Sequence, residues 1–124
     1  MVRAGDTFTA VRTFTEEDVA AFAAVSGDDG RHHVTRDDRG RLVVHGLLVA
    51  SVPTKIGGDI HYLAREMTWE FLRPVFTGDT VTCTVTIDRA DPGDGRLNVA
   101  LTATCTNQDD TDVMRGRSRG VILA

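Results

Sequence analysis

Lysine is nearly missing from these 124 residues: Lys55 stands alone, and arginine carries the remaining positive charge. We read that bias as codon usage, not chemistry. There is no basic excess either, since 18 acidic side chains outweigh 14 basic ones for a formal net charge of −4. A nucleic-acid partner calls for a clustered positive surface, so that class is excluded. No apolar run reaches signal-peptide length at the start or membrane-spanning length elsewhere, which predicts a cytoplasmic protein with no membrane partner. The chain has 2 cysteines, too few for a disulfide framework. Cys83 and Cys105 fall on alternating apolar positions of two predicted strands, so both are expected as buried free thiols. The four histidines include no His-x-x-x-His pair, and no Cys-x-x-Cys accompanies them, so no metal and no cofactor are expected. Linkers, repeats and low-complexity tracts are also lacking. Residues 1–124 therefore read as one domain, long enough to bury roughly two thirds of its unfolded surface.

What is present alternates or repeats at helical spacing. Thr7 to Phe14 reads as a short strand. Thr15-Glu16-Glu17-Asp18 has the form of a helix start: a capping hydroxyl, acids in the first turn and a carboxylate at the reciprocal capping position. Val19, Phe22, Ala23 and Ser26 follow on one face, and Gly27 stops the helix. Arg36 to Arg41 is polar and belongs at the surface. The apolar run Leu47 to Val52, closing at Gly57-Gly58, predicts a buried helix that is kinked at Pro53 or irregular in its second half. Beyond it the chain is all strand. Met67–Leu72 places Trp69 and Phe71 on one face. Val81, Cys83, Val85 and Ile87 alternate with threonines, as do Val99, Leu101, Ala103 and Cys105. Turns are expected at 91–95 and 107–110, and a last strand from about Val113 to Leu123. One helix against one curved antiparallel sheet is the economical α+β arrangement.

The chemistry sits in Ser26-Gly27-Asp28-Asp29-Gly30-Arg31-His32-His33, with His45-Gly46 downstream at the head of the apolar segment. A carboxylate and an imidazole lie five residues apart on a glycine-broken loop. The following helix start offers free backbone N–H groups. An acid/base pair beside an oxyanion donor is the equipment for moving a proton next to a carbonyl. Bland readings exist for each residue. Asp28 alone caps a turn after Gly27; His32 faces solvent; His45 braces the helix start through a backbone bond; His61 lies in a strand without a role. Arg115, Arg117 and Arg119 form a solvated stripe, with contact to carrier phosphates as the alternative.

The run Thr13-Phe14-Thr15-Glu16-Glu17-Asp18-Val19, Phe22-Ala23, Ser26-Gly27-Asp28, His33, Val44-His45-Gly46, Phe71-Leu72-Arg73-Pro74-Val75 and Gly78-Asp79-Thr80 resembles, in order, the MaoC-like (R)-specific enoyl-CoA hydratases. The resemblance implies the hot-dog fold, a curved antiparallel β-sheet wrapped around a central α-helix and usually dimerised. It implies Asp28 and His33 as the catalytic pair and Gly46 N–H as the holder of the thioester oxygen. His45 is implied beside that oxyanion and substrate site, and Thr54 as a hydroxyl near it. Two features depart from the family pattern: Gly30 and Arg31 replace the motif's asparagine and proline, and the stretch from His33 to His45 is shortened. Gly30 removes a side chain that would fix the loop.

Together these imply a hydro-lyase acting on 2-enoyl or (R)-3-hydroxyacyl thioesters of CoA or acyl carrier protein, as a homodimer. Two alternatives stay open: a hot-dog acyl-CoA thioesterase, and a non-catalytic acyl-thioester-binding domain.

Overall fold

The computed structural model describes residues 1–123. Five strands, β1 (Thr7–Thr13), β2 (Tyr62–Phe71), β3 (Thr80–Gly93), β4 (Arg96–Thr106) and β5 (Asp112–Leu123), form one curved antiparallel sheet. Their order across it is β1-β3-β4-β5-β2, which leaves β1 and β2 at the edges. Between β1 and β2 run four helical segments: α1 (Glu16–Ser26), α2 (Arg31–Val34), α3 (Gly46–Val49) and α4 (Ser51–Asp59). The sheet closes around α3 and α4, the hot-dog arrangement expected from the sequence. No helix among the described residues is long and apolar enough to cross a membrane.

The alternation in β3 and β4 does what its period requires. Val81, Cys83, Val85 and Ile87 are buried, as are Leu97, Val99, Leu101, Ala103 and Cys105, while the intervening threonines stay outside or at the margin. Val49, Val52 and Ile56 of the helices meet them in one continuous core. Burying each such side chain is worth about 1.5–3 kcal/mol. Cys83 and Cys105 face each other across β3 and β4 as free, buried thiols.

Helix α1 begins as its sequence predicts. The Thr15 hydroxyl accepts from Asp18 N at 3.1 Å, and Thr15 N donates to the Asp18 carboxylate at 2.9 Å. Gly27 ends it with φ +77°, a left-handed turn that glycine adopts without strain.

Four local expectations are corrected. The helix is divided at Ala50, not kinked at Pro53. Pro53 has no N–H for Val49 O, so the interruption falls between those residues, and the hydroxyls of Ser51 and Thr54 donate to Leu48 O and Ala50 O. Strand β2 starts at Tyr62, five residues earlier than expected, because a register shift between Ala64 and Glu66 breaks its alternation. His61 is a turn residue with φ +60°, outside the strand. The turn expected over 91–95 narrows to Asp94-Gly95, both at positive φ, as a tight two-residue hairpin requires.

Two glycines of β5 decide how closely β2 lies. A Cβ at Gly116 would overlap Thr68 O and the Trp69 ring, and one at Gly120 would overlap Leu63 O. Beside them Arg115 and Arg119 pair with Glu70 and Glu66 of β2 on the solvated face. Arg119 holds the Glu66 carboxyl below its ordinary range.

Candidate active site

One cleft of about 690 Å³ opens where α3 begins and β2 ends. Phe22, Val49, Phe71, Leu72, Val75 and Val113 give it apolar walls, and Asp28, His33, His45 and Gly46 stand in the same lining. The structure thus gathers four of the five site residues expected from the sequence. The fifth, Thr54, is elsewhere: its hydroxyl is spent on Ala50 O, and it borders a separate hollow with Tyr62, Met67 and Trp69.

His33 comes from α2, a single helical turn where the sequence suggested loop. Its ring is 6% exposed. Nδ1 lies 2.7 Å from Val43 O. A carbonyl only accepts, so Nδ1 carries a hydrogen, and Nε2 is the nitrogen free to exchange a proton. Nε2 faces Asp28 Oδ2 at 3.6 Å.

Asp28 is half-exposed and sits directly after the α1 cap. Its N–H donates to Ser26 Oγ at 3.0 Å, and its Oδ1 accepts from Gly30 N at 3.2 Å. Its carbonyl accepts from His45 Nε2 at 2.8 Å. Without the motif's asparagine the loop is still pinned, by Ser26 and His45. At 3.6 Å, Oδ2 and Nε2 are beyond a direct hydrogen bond, yet one water at the apex of a triangle reaches both at about 2.8 Å.

Four rings stack through the site. His45 lies nearly parallel to His33, with centroids 3.7 Å apart and planes at 14°. Phe22 backs His45 at 4.8 Å, and His32 tilts over the outer face of His33 at 3.9 Å. His32 is exposed, as expected, but it is not detached from the site.

Gly46 N begins α3, and among the described residues no acceptor engages it. A Cβ on Gly46 would come within 2.8 Å of Phe71 Cε1, so the aromatic ring lies directly over this residue.

Asp28, His33 and His45 place one donor atom each within 4.8 Å of one another. That proximity does not make a good metal site. Stacked rings inclined by only 14° keep their in-plane lone pairs in near-parallel, separate planes, whereas zinc needs them to converge at about 2.0–2.1 Å.

Sequence reasoning missed three contributors. Val43 acts through its carbonyl, and every residue has one. Phe71 was read as part of a strand face and of the family motif, without a place over Gly46. Ser26 was named within the motif, but its hold on Asp28 N depends on the turn at Gly27. Arg73, exposed in the lining, has no acidic partner among the described residues.

No curated protein sequence matches the chain. Among solved structures, an (R)-hydratase from A. caviae involved in PHA biosynthesis is 27% identical, with a TM-score of 0.83 over 99% of this chain and 98% of that one. A MaoC-like dehydratase from Rhodospirillum rubrum is 18% identical, with a TM-score of 0.79 over 98% of this chain and 93% of that one. The HadBC (3R-hydroxyacyl-ACP dehydratase) complex of Mycobacterium tuberculosis is also 18% identical, at a TM-score of 0.73 over 98% of each chain. At 18% identity the last two speak for the fold alone. The sequence model of the thioesterase superfamily matches residues 11–91, well over half of the length. The chain belongs to the thioesterase superfamily.

Proposed function

We propose that the protein is a hydro-lyase that adds water to 2-enoyl thioesters and removes it from (R)-3-hydroxyacyl thioesters. The observation that carries this is the pairing of Asp28 Oδ2 and His33 Nε2 at 3.6 Å, with His33 Nδ1 already committed to Val43 O. In hydration the pair takes a proton from water as its oxygen bonds Cβ, and the pair returns a proton to Cα. Atoms balance with water alone, and no cofactor enters. Charge that builds on the thioester oxygen is met by Gly46 N–H; losing such a donor costs about 3 kcal/mol of barrier stabilisation. The (R)-hydratase neighbour at 27% identity supports this reading, and its (R) stereochemistry comes here as part of the proposal.

CoA or acyl carrier protein is the carrier we infer, with Arg73 at the cleft suited to carrier phosphate. A second copy of the chain is the inferred partner. Among the described residues, edge strand β2 has no neighbour along its outer side, and it exposes Leu63 and Met67, a surface that another β2 would cover.

The superfamily match favours one competing reading, thioester hydrolysis, in which the same water attacks the carbonyl carbon. Saturated and 2-enoyl CoA thioesters of several chain lengths separate the two. We expect loss of enoyl absorbance without thiol release. Thiol release from saturated substrates, with the enoyl group untouched, overturns the proposal.

A further inference from the structure

Asp28, His33 and Gly46 account for the proton transfers and the oxyanion, and leave His45 without a chemical step. We propose that His45 is a positioning residue, which holds the Asp28 loop by a hydrogen bond and the His33 ring by a stack. This role rests on the hydro-lyase reading above.

The bond fixes the tautomer. Asp28 O accepts from Nε2 at 2.8 Å, so Nε2 carries the hydrogen and Nδ1 the lone pair. That Nδ1 is buried, and no partner reaches it among the described residues. A buried acceptor left unmatched is a cost. A ring kept for packing alone would not need to bear it, whereas the Nε2–H bond gives a reason for the nitrogen. The ring itself is 2% exposed between Phe22 and His33. With one nitrogen engaged and the other buried, His45 offers nothing to a substrate. Its influence passes through Asp28 and His33, instead of the direct substrate contact implied by the resemblance.

The loop makes the bond matter. Among the described residues, no other side chain from outside Ser26–Val34 hydrogen-bonds to residues 27–30. Gly30 contributes no side chain of its own. His45 is therefore the one side-chain tether between this loop and the helix start, and it lies one peptide bond from the Gly46 amide. Asp28 and the oxyanion donor are registered through this one imidazole, while His33 is held separately at Val43 O.

Two substitutions separate the contacts: His45→Phe keeps a ring against His33 but deletes the donor, and His45→Gln keeps a donor but deletes the ring. With crotonyl-CoA, kcat of H45F should fall about 10- to 100-fold, the scale of a small misplacement of reacting groups. KM should stay within about twofold, and H45Q should recover part of the loss. An unchanged kcat in folded H45F, or an effect carried by KM alone, overturns the role. If H45F does not fold, long-range 1H–15N spectra of the wild-type protein decide instead. They should show His45 as the Nε2–H and His33 as the Nδ1–H tautomer; an Nδ1–H form of His45 overturns the role. A wild type that hydrates no enoyl thioester overturns the hydro-lyase reading and this role with it. An active wild type beside an unimpaired H45F overturns this role alone.

Discussion

Asp28 Oδ2 and His33 Nε2 stand 3.6 Å apart with very different surroundings, the carboxylate 55% exposed and the imidazole 6%. The exposed partner can be changed with little consequence for folding; the buried one cannot. Asp28→Asn should lower kcat for crotonyl-CoA hydration by about 10²–10⁴ and leave Tm unaltered. His33→Ala should match that loss and also lower Tm by a few degrees, since it gives up the Val43 bond and the stack with His45. Kinetics and melting on the same samples check both, and wild-type rates in either variant contradict the assignment.

Gly46→Ala tests the oxyanion position. The added methyl meets the Phe71 ring at 2.8–3.1 Å, and that ring, half-exposed, is what must give way. Stability should change by less than about 1 kcal/mol, because alanine is the better helix former. kcat/KM should fall about tenfold or more as the displaced ring crowds the amide. The double variant G46A/F71A should regain part of that loss, a non-additivity that identifies the ring as the cause.

Gly30→Ala should move stability and activity in opposite directions. The backbone there, φ −49° and ψ 147°, is open to any residue, so the substitution stiffens the unfolded chain and adds about 0.4–1 kcal/mol. The new Cβ lies 3.3 Å from Asp28 Oδ1, close enough to push the carboxylate. A higher Tm with a several-fold lower kcat is expected. A Tm below that of the wild type would contradict it.

Asp18 provides a pH signature away from the site. The Thr15 N–H, followed by Arg12, holds its carboxyl below the ordinary range. A depressed carboxylate contributes stability above its unfolded value near 3.9 and loses it as pH falls through the lower folded value. Asp18→Asn should therefore cost about 1 kcal/mol at neutral pH, the usual scale for a helix cap. Urea melts of both proteins should converge as pH falls below the unfolded carboxylate value and through the lower folded one; a gap that persists in strong acid places the effect elsewhere.

The sequence made some of this legible for physical reasons. Period-two alternation in Val81–Ile87 and Val99–Cys105 is a burial code, and both strands follow it. Thr15 and Asp18 announce their cap because it is closed within four residues. Asp28, His33 and Gly46 were marked by the motif, and the fold brings them to one cleft. The rest depended on distant partners. The His33 orienter is a main-chain carbonyl at Val43, chemically identical to every other carbonyl in the chain. Thr54 looked like a site hydroxyl until the helix division at Ala50 turned it toward its own backbone. Strand β2 concealed its first half because the shift at Ala64–Glu66 interrupts the pattern that would have revealed it.

Gly116 and Gly120 have a consequence beyond the strand they occupy. By carrying no methyl they let β2 settle against β5, and the chain leaving β2 supplies Phe71 through Val75, one wall of the cleft. That wall of the cleft thus belongs to a strand whose seat depends on two positions outside the cleft lining. A methyl at either one would meet the backbone of β2 first, at Thr68 O or Leu63 O.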